Sequence, residues 1–511
     1  MSIRIVVKKN TYFDSVSLMS VSTKANKLPG VEQAFVAMAT EMNKGVLKNL
    51  GLLTPELNEA KNGDLMIVIK GDAANYETLA AIEALFTRKE RQGAHEARYA
   101  TIASAKTHRP DANLAVISVN GTFAAREARQ ALENDLNVML FSDNVSLDDE
   151  LALKQLAHQK GLLMMGPDCG TAVINHTGLC FANEVRRGNI GVVGASGTGL
   201  QEVIVQIDRL GGGITQALGT GGRDLSREIG GLMMLHGIRA LAKEPDTEII
   251  VLVSKPPEQS VADKIFELLD TLEKPVVVCF LEGDTARKCR EGVYLCDNLL
   301  DAARTAVELA GVAQDAGREE ARAARLKEEI AGARGLLLPG QKSVRGLFCG
   351  GTLCAEALFV LRGRLGRIRS NVSHRDGEKI DGKETCRGSV LLDLGDDEFT
   401  NGRPHPMIEP SLRNDKIAEQ GDDPEVGVIL LDFELGYGSH GDPAGETVPA
   451  IREARARARA QGRELAVVGY ICGTAADKQD FAGQRAALLA EGVILAESNV
   501  EAAQTAADIL L

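Results

Sequence analysis

The chain has no tryptophan, and aromatic residues make up only 4% of it, against 53 glycines. That balance speaks against an all-β sandwich and for the many glycine turns of an α/β fold. Nine cysteines are present, but no Cys-x-x-Cys pair and no Cys/His spacing that would build a zinc site. Reduced thiols are expected, and no metal. No apolar run approaches the roughly 20 residues that span a bilayer, and no leader pattern precedes the strand-like IRIVV, so a cytoplasmic protein without a membrane partner is expected. Basic residues form no stripe. With 58 Lys and Arg against 71 Asp and Glu, the net charge of -13 excludes nucleic acid as a natural partner. Also missing are a GxGxxG dinucleotide fingerprint, HExxH and GxSxG. PGQKS at 339–343 fails as a phosphate loop because Gln341 separates the glycine from Lys342.

What is present is a rhythm of short apolar strands and helical patterns, in a chain of 511 residues that suits three or four domains. Residues 1–75 alternate strand and helix as a small α+β unit, and a polar connector follows. From 109 to 187 the strands NLAVISV, NVMLFSD and GLLMM, separated by helices, predict a parallel Rossmann-like sheet. A second doubly wound unit occupies 188–312, with NIGVV, GITQALG, TEIIVLVS and PVVVCFL as strands. The charged, alanine-rich stretch 313–334 predicts a solvated bridging helix. A third α/β unit, 335–511, is read with a Gly/Asp/Arg-rich insertion at 366–403.

The chemistry concentrates in two strand–turn–helix stretches. GNIGVVGASGTGLQEVI places Ser196, Gly197, Thr198 and Gly199 where a helix begins, and GLFCGGTLCAEALFVL repeats the device at Gly350, Gly351 and Thr352. First-turn amides can hold an anion, although glycine also serves close helix-to-sheet packing. If both turns face one point, two helix termini of about half a positive charge each converge there. Loop polar groups at strand ends add Arg223, Asp168 and Asn175 as candidates. The insertion and its flank add Arg403, His405 and Arg413, and GYGSHGDPAG places His440, the histidine best suited to proton or phosphoryl transfer. Cys349 and Cys354 beside the second turn read as small core residues.

KGLLMMGPDCGTAVI, GNIGVVGASGTGLQEVI and QALGTGGRDLS, at this spacing, resemble the succinyl-CoA synthetase superfamily, and most closely its FdrA family of acyl-CoA-synthetase-like proteins. The resemblance implies a CoA-binding Rossmann-like domain and two flavodoxin-like ligase domains, with CoA or a nucleotide as the superfamily's cofactor. It also implies that Ser196–Gly199 and Gly350–Thr352 are the paired helix termini that hold a phosphohistidine in the synthetases. This chain departs from that pattern. It has no histidine between His236 and His374, the supporting glutamate is replaced in SKPPEQ, and no ATP-grasp-like segment is present. For FdrA-type proteins the resemblance implies one subunit of an oxamate carbamoyltransferase of anaerobic allantoin breakdown. Such a subunit acts with other subunits on phosphate, carbamoyl phosphate and oxamate, and His440 and Arg223 are its catalytic candidates. The alternatives are an acyl-CoA synthetase with His440 as a relocated phosphoacceptor, and a CoA-binding scaffold without catalysis.

Overall fold

The computed structural model describes residues 2–511 apart from 12, 14, 27, 73, 88–97, 314–315, 382–386 and 401–403. The chain divides into two units, residues 1–98 with 399–405, and residues 99–398 with 406–511.

In the N-terminal unit β1 (Ser2–Lys8), β2 (Gln33–Met38) and β3 (Leu65–Gly71) form an antiparallel sheet with β3 in the middle. Central placement explains why Leu65 to Ile69 are all buried. Helices α1 (Ser15–Asn26), α2 (Glu41–Asn49), α3 (Pro55–Glu59) and α4 (Tyr76–Thr87) fill the connections. Thr40 and Thr54 cap α2 and α3 by accepting from Asn43 N and Leu57 N.

The larger unit opens with α5 (Ile102–His108) and a parallel sheet of β4 (Leu114–Ile117), β5 (Asn137–Leu140) and β6 (Met164–Met165). Its crossovers are α6 (Gly121–Glu133) and α7 (Leu147–Lys160). Lys154 of α7 is fully buried and donates to Glu150 Oε1 at 2.8 Å, Asp224 Oδ1 at 2.8 Å and Thr220 O at 2.9 Å. This satisfied triad ties the small sheet to the next one.

That second sheet contains the hairpin β7 (Thr171–Ile174) and β8 (Thr177–Cys180), then β9 (Arg187–Gly194), β10 (Ile214–Gly219), β11 (Ile249–Ser254), β12 (Val276–Phe280) and β13 (Val293–Leu295). Helices α8 (Gly197–Arg209), α9 (Leu232–Lys243), α10 (Gln259–Leu269) and α11 (Leu299–Leu309) cover it, and α12 (Ala316–Leu336) leads on. The third sheet holds β14 (Ser343–Phe348), β15 (Arg369–Ser370), β16 (Val390–Asp393), β17 (Val426–Glu434), β18 (Ala466–Cys472) and β19 (Ile494–Ala496). Around it lie α13 (Gly351–Leu365), α14 (Asp397–Thr400), α15 (Ser411–Glu419), α16 (Pro443–Ala460), α17 (Phe481–Ala490) and α18 (Asn499–Leu510).

Every residue of β11 and β17 is buried, as parallel strands covered on both faces require. Leaving aside the hairpin and the short edge strand β15, the two sheets share one order. It is β10-β9-β11-β12-β13 in one and β16-β14-β17-β18-β19 in the other, the flavodoxin-like 2-1-3-4-5 arrangement. Two sequence expectations change here. The stretch 366–403 is not wholly an insertion, because Val390–Asp393 supplies the second strand of the third sheet, paired with β14. The hairpin after the small sheet pairs with β10 and so belongs to the second sheet.

Candidate functional site

In a 2-1-3-4-5 sheet, ligands collect beyond the C-terminal ends of strands 1 and 3, where the order reverses. Here those ends are Gly194 and Ser254 in the second sheet, and Phe348 and Glu434 in the third. The two switch points meet. Ser196 caps α8 by accepting from Gly199 N at 3.0 Å, and its hydroxyl lies 2.5 Å from that of Thr352 on α13. Thr352 N donates to Thr198 Oγ1 at 3.3 Å. Two helix N-termini thus abut through side chains the sequence singled out. The fit depends on glycine: a Cβ at Gly199 would lie 2.6 Å from Ser196 Oγ and 2.9 Å from Thr352 Cγ2. At Gly197 the nearest atom would be 3.8 Å away. We therefore expect Gly199→Ala to cost about 1–3 kcal/mol by overpacking, and Gly197→Ala to leave the fold's stability unchanged. Urea denaturation of the two variants checks this.

The seven residues read as an anion cradle do not act alike. Asp432 on β17 accepts from Cys349 N at 2.8 Å and from Gly350 N at 2.8 Å, so those amides serve the protein itself. The amides of Gly199 and Thr352 are spent as described above. The accessible amides without a partner among the described residues are those of Gly197, Thr198 and Gly351. Beside them stand groups that sequence reasoning passed over. A Cβ at Gly351 would collide with the Asp393 carboxylate and lie 3.5 Å from Lys255 Nζ. Burial pushes the Asp393 carboxyl up to about 7, with Lys255 pulling against it. Lys255, the lysine of SKPPEQ, stands one residue past β11.

A second device joins the halves beneath the turns. Glu356 on α13 accepts from Leu299 N, the first amide of α11, at 2.8 Å. Glu202 on α8 accepts from Asn499 N, the first amide of α18, at 3.3 Å. Each half's first helix therefore supplies a fully buried carboxylate to the first turn of the other half's last helix. Asn499 Nδ2 adds a bond to Glu356 Oε2 at 2.8 Å. Burial, and then Glu202, push Glu356 up to about 7, and burial raises Glu202 as well.

The remaining candidates scatter. Asp168 borders the site from the loop before β7: burial of its carboxyl among neighbouring groups, then Asp397 and Asp143, push it up to about 7, although the residue as a whole is exposed. Arg223, half exposed, donates to Val145 O at 2.8 Å and pairs with Glu150 at 2.8 Å. His440 follows β17 with its ring tied locally, Nδ1 accepting from Asp442 N at 3.1 Å. Asn175 is misplaced by the sequence reading. Strand β7 runs antiparallel to β10, which carries Asn175 to the opposite end of the sheet, where it bonds Gln216. Arg413 is 1% exposed, with Nη1 donating to Asp432 O at 2.6 Å and Cys349 Sγ at 2.9 Å, so it serves the protein interior rather than a substrate. His405 falls in 399–405, grouped with the N-terminal unit, and Arg403 lies outside the described residues.

Cys349, Asp432 and Glu434 stand close enough to share a metal ion, but Arg413 already occupies both the thiol and the aspartate. Burial pushes the Cys349 and Cys354 thiols well up, as expected of core residues. Among the described residues no helix is long and apolar enough to cross a membrane.

Comparison with known proteins adds three family matches: "AllF, heavy metal-associated domain" over residues 1–102, "CoA binding domain" over 185–283 and "CoA-ligase" over 347–509. Residues 1–102 contain no cysteine and one histidine, His95, outside the described residues, so the thiolate pair a soft metal favours is missing. The uncharacterized protein YahF of Escherichia coli K12 is 59% identical over 98% of this chain and 97% of its own length. A succinate–CoA ligase [ADP-forming] subunit alpha-2 of Trichomonas vaginalis is 30% identical over 35% of this chain and 59% of its own length. The ATP citrate lyase of Methanothrix soehngenii, solved with citrate and coenzyme A, matches 42% of each chain at 18% identity and a TM-score of 0.35.

Proposed function

Because the chain belongs to the FdrA-like proteins of the succinyl-CoA synthetase superfamily, with CoA-binding and CoA-ligase-like domains, we propose that its abutting helix termini form a group-transfer site for small anions. The finer reading is one subunit of a carbamoyltransferase that moves a carbamoyl group between oxamate and phosphate. The observation that carries it is the paired turn itself: Ser196 and Thr352 in contact, the accessible amides of Gly197, Thr198 and Gly351 beside it, and the Lys255 ammonium close to Gly351. Fixed amides and an ammonium stabilise charge that develops on a phosphate without reorganising. The sequence has no histidine between His236 and His374 to carry the phosphoryl group, which favours an anion taken from solution.

The purified chain, combined with the subunits that co-purify with it from its native host, is expected to form carbamoyl phosphate from oxalurate and phosphate. Absence of turnover with the full assembly present would reject the reading. The CoA-ligase match favours a second reading, acyl transfer through CoA. Calorimetric titration with CoA and with carbamoyl phosphate separates the two: saturable binding of CoA alone supports the second.

A further inference from the structure

We propose that Lys255 and Asp393 are the reactive pair of this site, Lys255 holding a tetrahedral oxyanion against the accessible first-turn amides and Asp393 exchanging the proton of the transferred group's nitrogen partner. The proposal rests on the group-transfer reading above and names the residues that perform it.

Lys255 follows the last residue of β11, the strand next to β9 at the switch point of the second sheet. Its ammonium reaches across to the other half, within 3.5 Å of where a Cβ on Gly351 would stand. Among the described residues it donates no hydrogen bond and makes no ion pair, so its charge is not consumed by a structural partner. It nonetheless acts electrostatically on Asp393 and Asp168, which brings it between the loop before β7 and the end of β16.

Asp393 ends β16, the strand that a glycine-rich context hid. It is 6% exposed, and its position is fixed on several sides. Its backbone N donates to Asn371 Oδ1 at 2.9 Å, Asn371 Nδ2 donates back to its carbonyl at 2.9 Å, and Oδ1 accepts from Gly395 N at 2.9 Å. Oδ2 makes no hydrogen bond among the described residues and points at Gly351. The charged groups around it are Lys255 from just past β11, Asp396 from its own loop and Asp432 from β17. A carboxyl that titrates near neutrality populates both the acid and the base form there, which suits proton transfer in both directions.

In the direction of phosphorolysis, a phosphate oxygen attacks the carbamoyl carbon and a C–O bond forms. The C–N bond breaks with its electron pair going to the acceptor nitrogen, which takes the Asp393 proton. In reverse, the Asp393 carboxylate accepts the proton of the attacking nitrogen while phosphate departs, its returning charge met by Lys255 and the amides. No oxidant and no nucleotide enter the balance.

Sulfate is the probe of choice, because its charge stays constant between about pH 6 and 8 while phosphate itself titrates there. Calorimetric titration of the full chain with sulfate is expected to show saturable binding that Lys255→Met weakens by about tenfold or more and Lys255→Arg largely keeps. Affinity should fall as pH rises through about 7, because Asp393 then gains charge beside the anion. Asp393→Asn should flatten that fall, and Asp168→Asn should keep it. Unfolding curves confirm that each variant is folded. A chain that binds no sulfate, an unaltered affinity in Lys255→Met, or a pH dependence that disappears in Asp168→Asn and persists in Asp393→Asn overturns the proposal. These readouts need no partner subunit and no carbamoyl donor. Sulfate binding through Lys255 in an assembly that makes no carbamoyl phosphate would reject the transferase reading and leave the anion site standing.

Discussion

Replacing Glu356 with alanine is expected to destabilise the larger unit by about 3–5 kcal/mol. The substitution strands Leu299 N, worth about 1–3 kcal/mol when left unsatisfied, takes from Asn499 Nδ2 one of its two acceptors, Leu353 O remaining, and leaves a cavity in addition. The loss falls on two helix starts at once, so α11 and α18 should loosen together. Hydrogen exchange at their first turns would report it alongside the urea midpoint. Glu356→Gln separates packing from charge. The Glu356 carboxyl is raised from 4.5 to about 7 in the fold, so its contribution to stability is full below the unfolded value and lost as pH rises through about 7. The glutamine keeps an acceptor for Leu299 N and has no proton to lose; its NH2, like the acid's hydroxyl, then faces Asn499 Nδ2, which keeps Leu353 O as its acceptor. Near pH 5 the variant should match the parent, and near pH 8 it should exceed it by about 2 kcal/mol, the shift being shared with Glu202. A variant less stable than the parent at the higher pH would show that the anion is held better than burial alone allows.

This crosswise pair left a trace in the sequence that went unread, and its crossing is a tertiary fact. GTGLQE and GTLCAE carry the same Gly-Thr-x-x-x-Glu spacing, which sets the glutamate more than one helical turn below the glycine start in both halves. The paired turns themselves were read correctly as strand, glycine turn and helix, because apolar periodicity on both sides of a glycine cluster leaves few other structures. Other features had no local signal. Lys255 is a lone lysine in SKPPEQ, and only the meeting of two sheets brings it to Gly351. Strand β16 is four residues in a stretch rich in Gly, Asp and Arg, where composition outweighs a short apolar run. Asn175 follows a strand as Asp168 follows β6, but the antiparallel pairing of β7 reverses which end of the sheet it reaches, and strand direction is a tertiary fact. Arg413 looked like a loop arginine available to a substrate. The helix that begins at Ser411 turns it inward instead.

Arg413→Met is expected to be as damaging as the loss of Glu356, about 3–5 kcal/mol, and the damage should appear at the active turn rather than at α15. The guanidinium, 1% exposed, faces Asp432, whose carboxylate is also fully buried. That carboxylate accepts from both Cys349 N and Gly350 N, the amides that set the entry angle of α13. Without the arginine, Asp432 is a buried charge left to the two amides and to its hydrogen bond with Glu434, whose carboxyl is already pushed well up by burial and by Asp432. Relief comes if the turn opens to admit water, which would draw Gly351 away from Thr198 and Ser196. A substrate-binding arginine predicts the contrary pattern: unchanged stability with a raised KM. Urea denaturation together with sulfate affinity decides between them, because the structural role moves the midpoint first and weakens the anion site only through the displaced turn. Asp432→Asn combined with Arg413→Met should recover part of the loss, since removing both charges leaves no buried ion uncompensated, and a double variant no more stable than Arg413→Met alone would mean that the arginine acts through its packing on Phe433 instead.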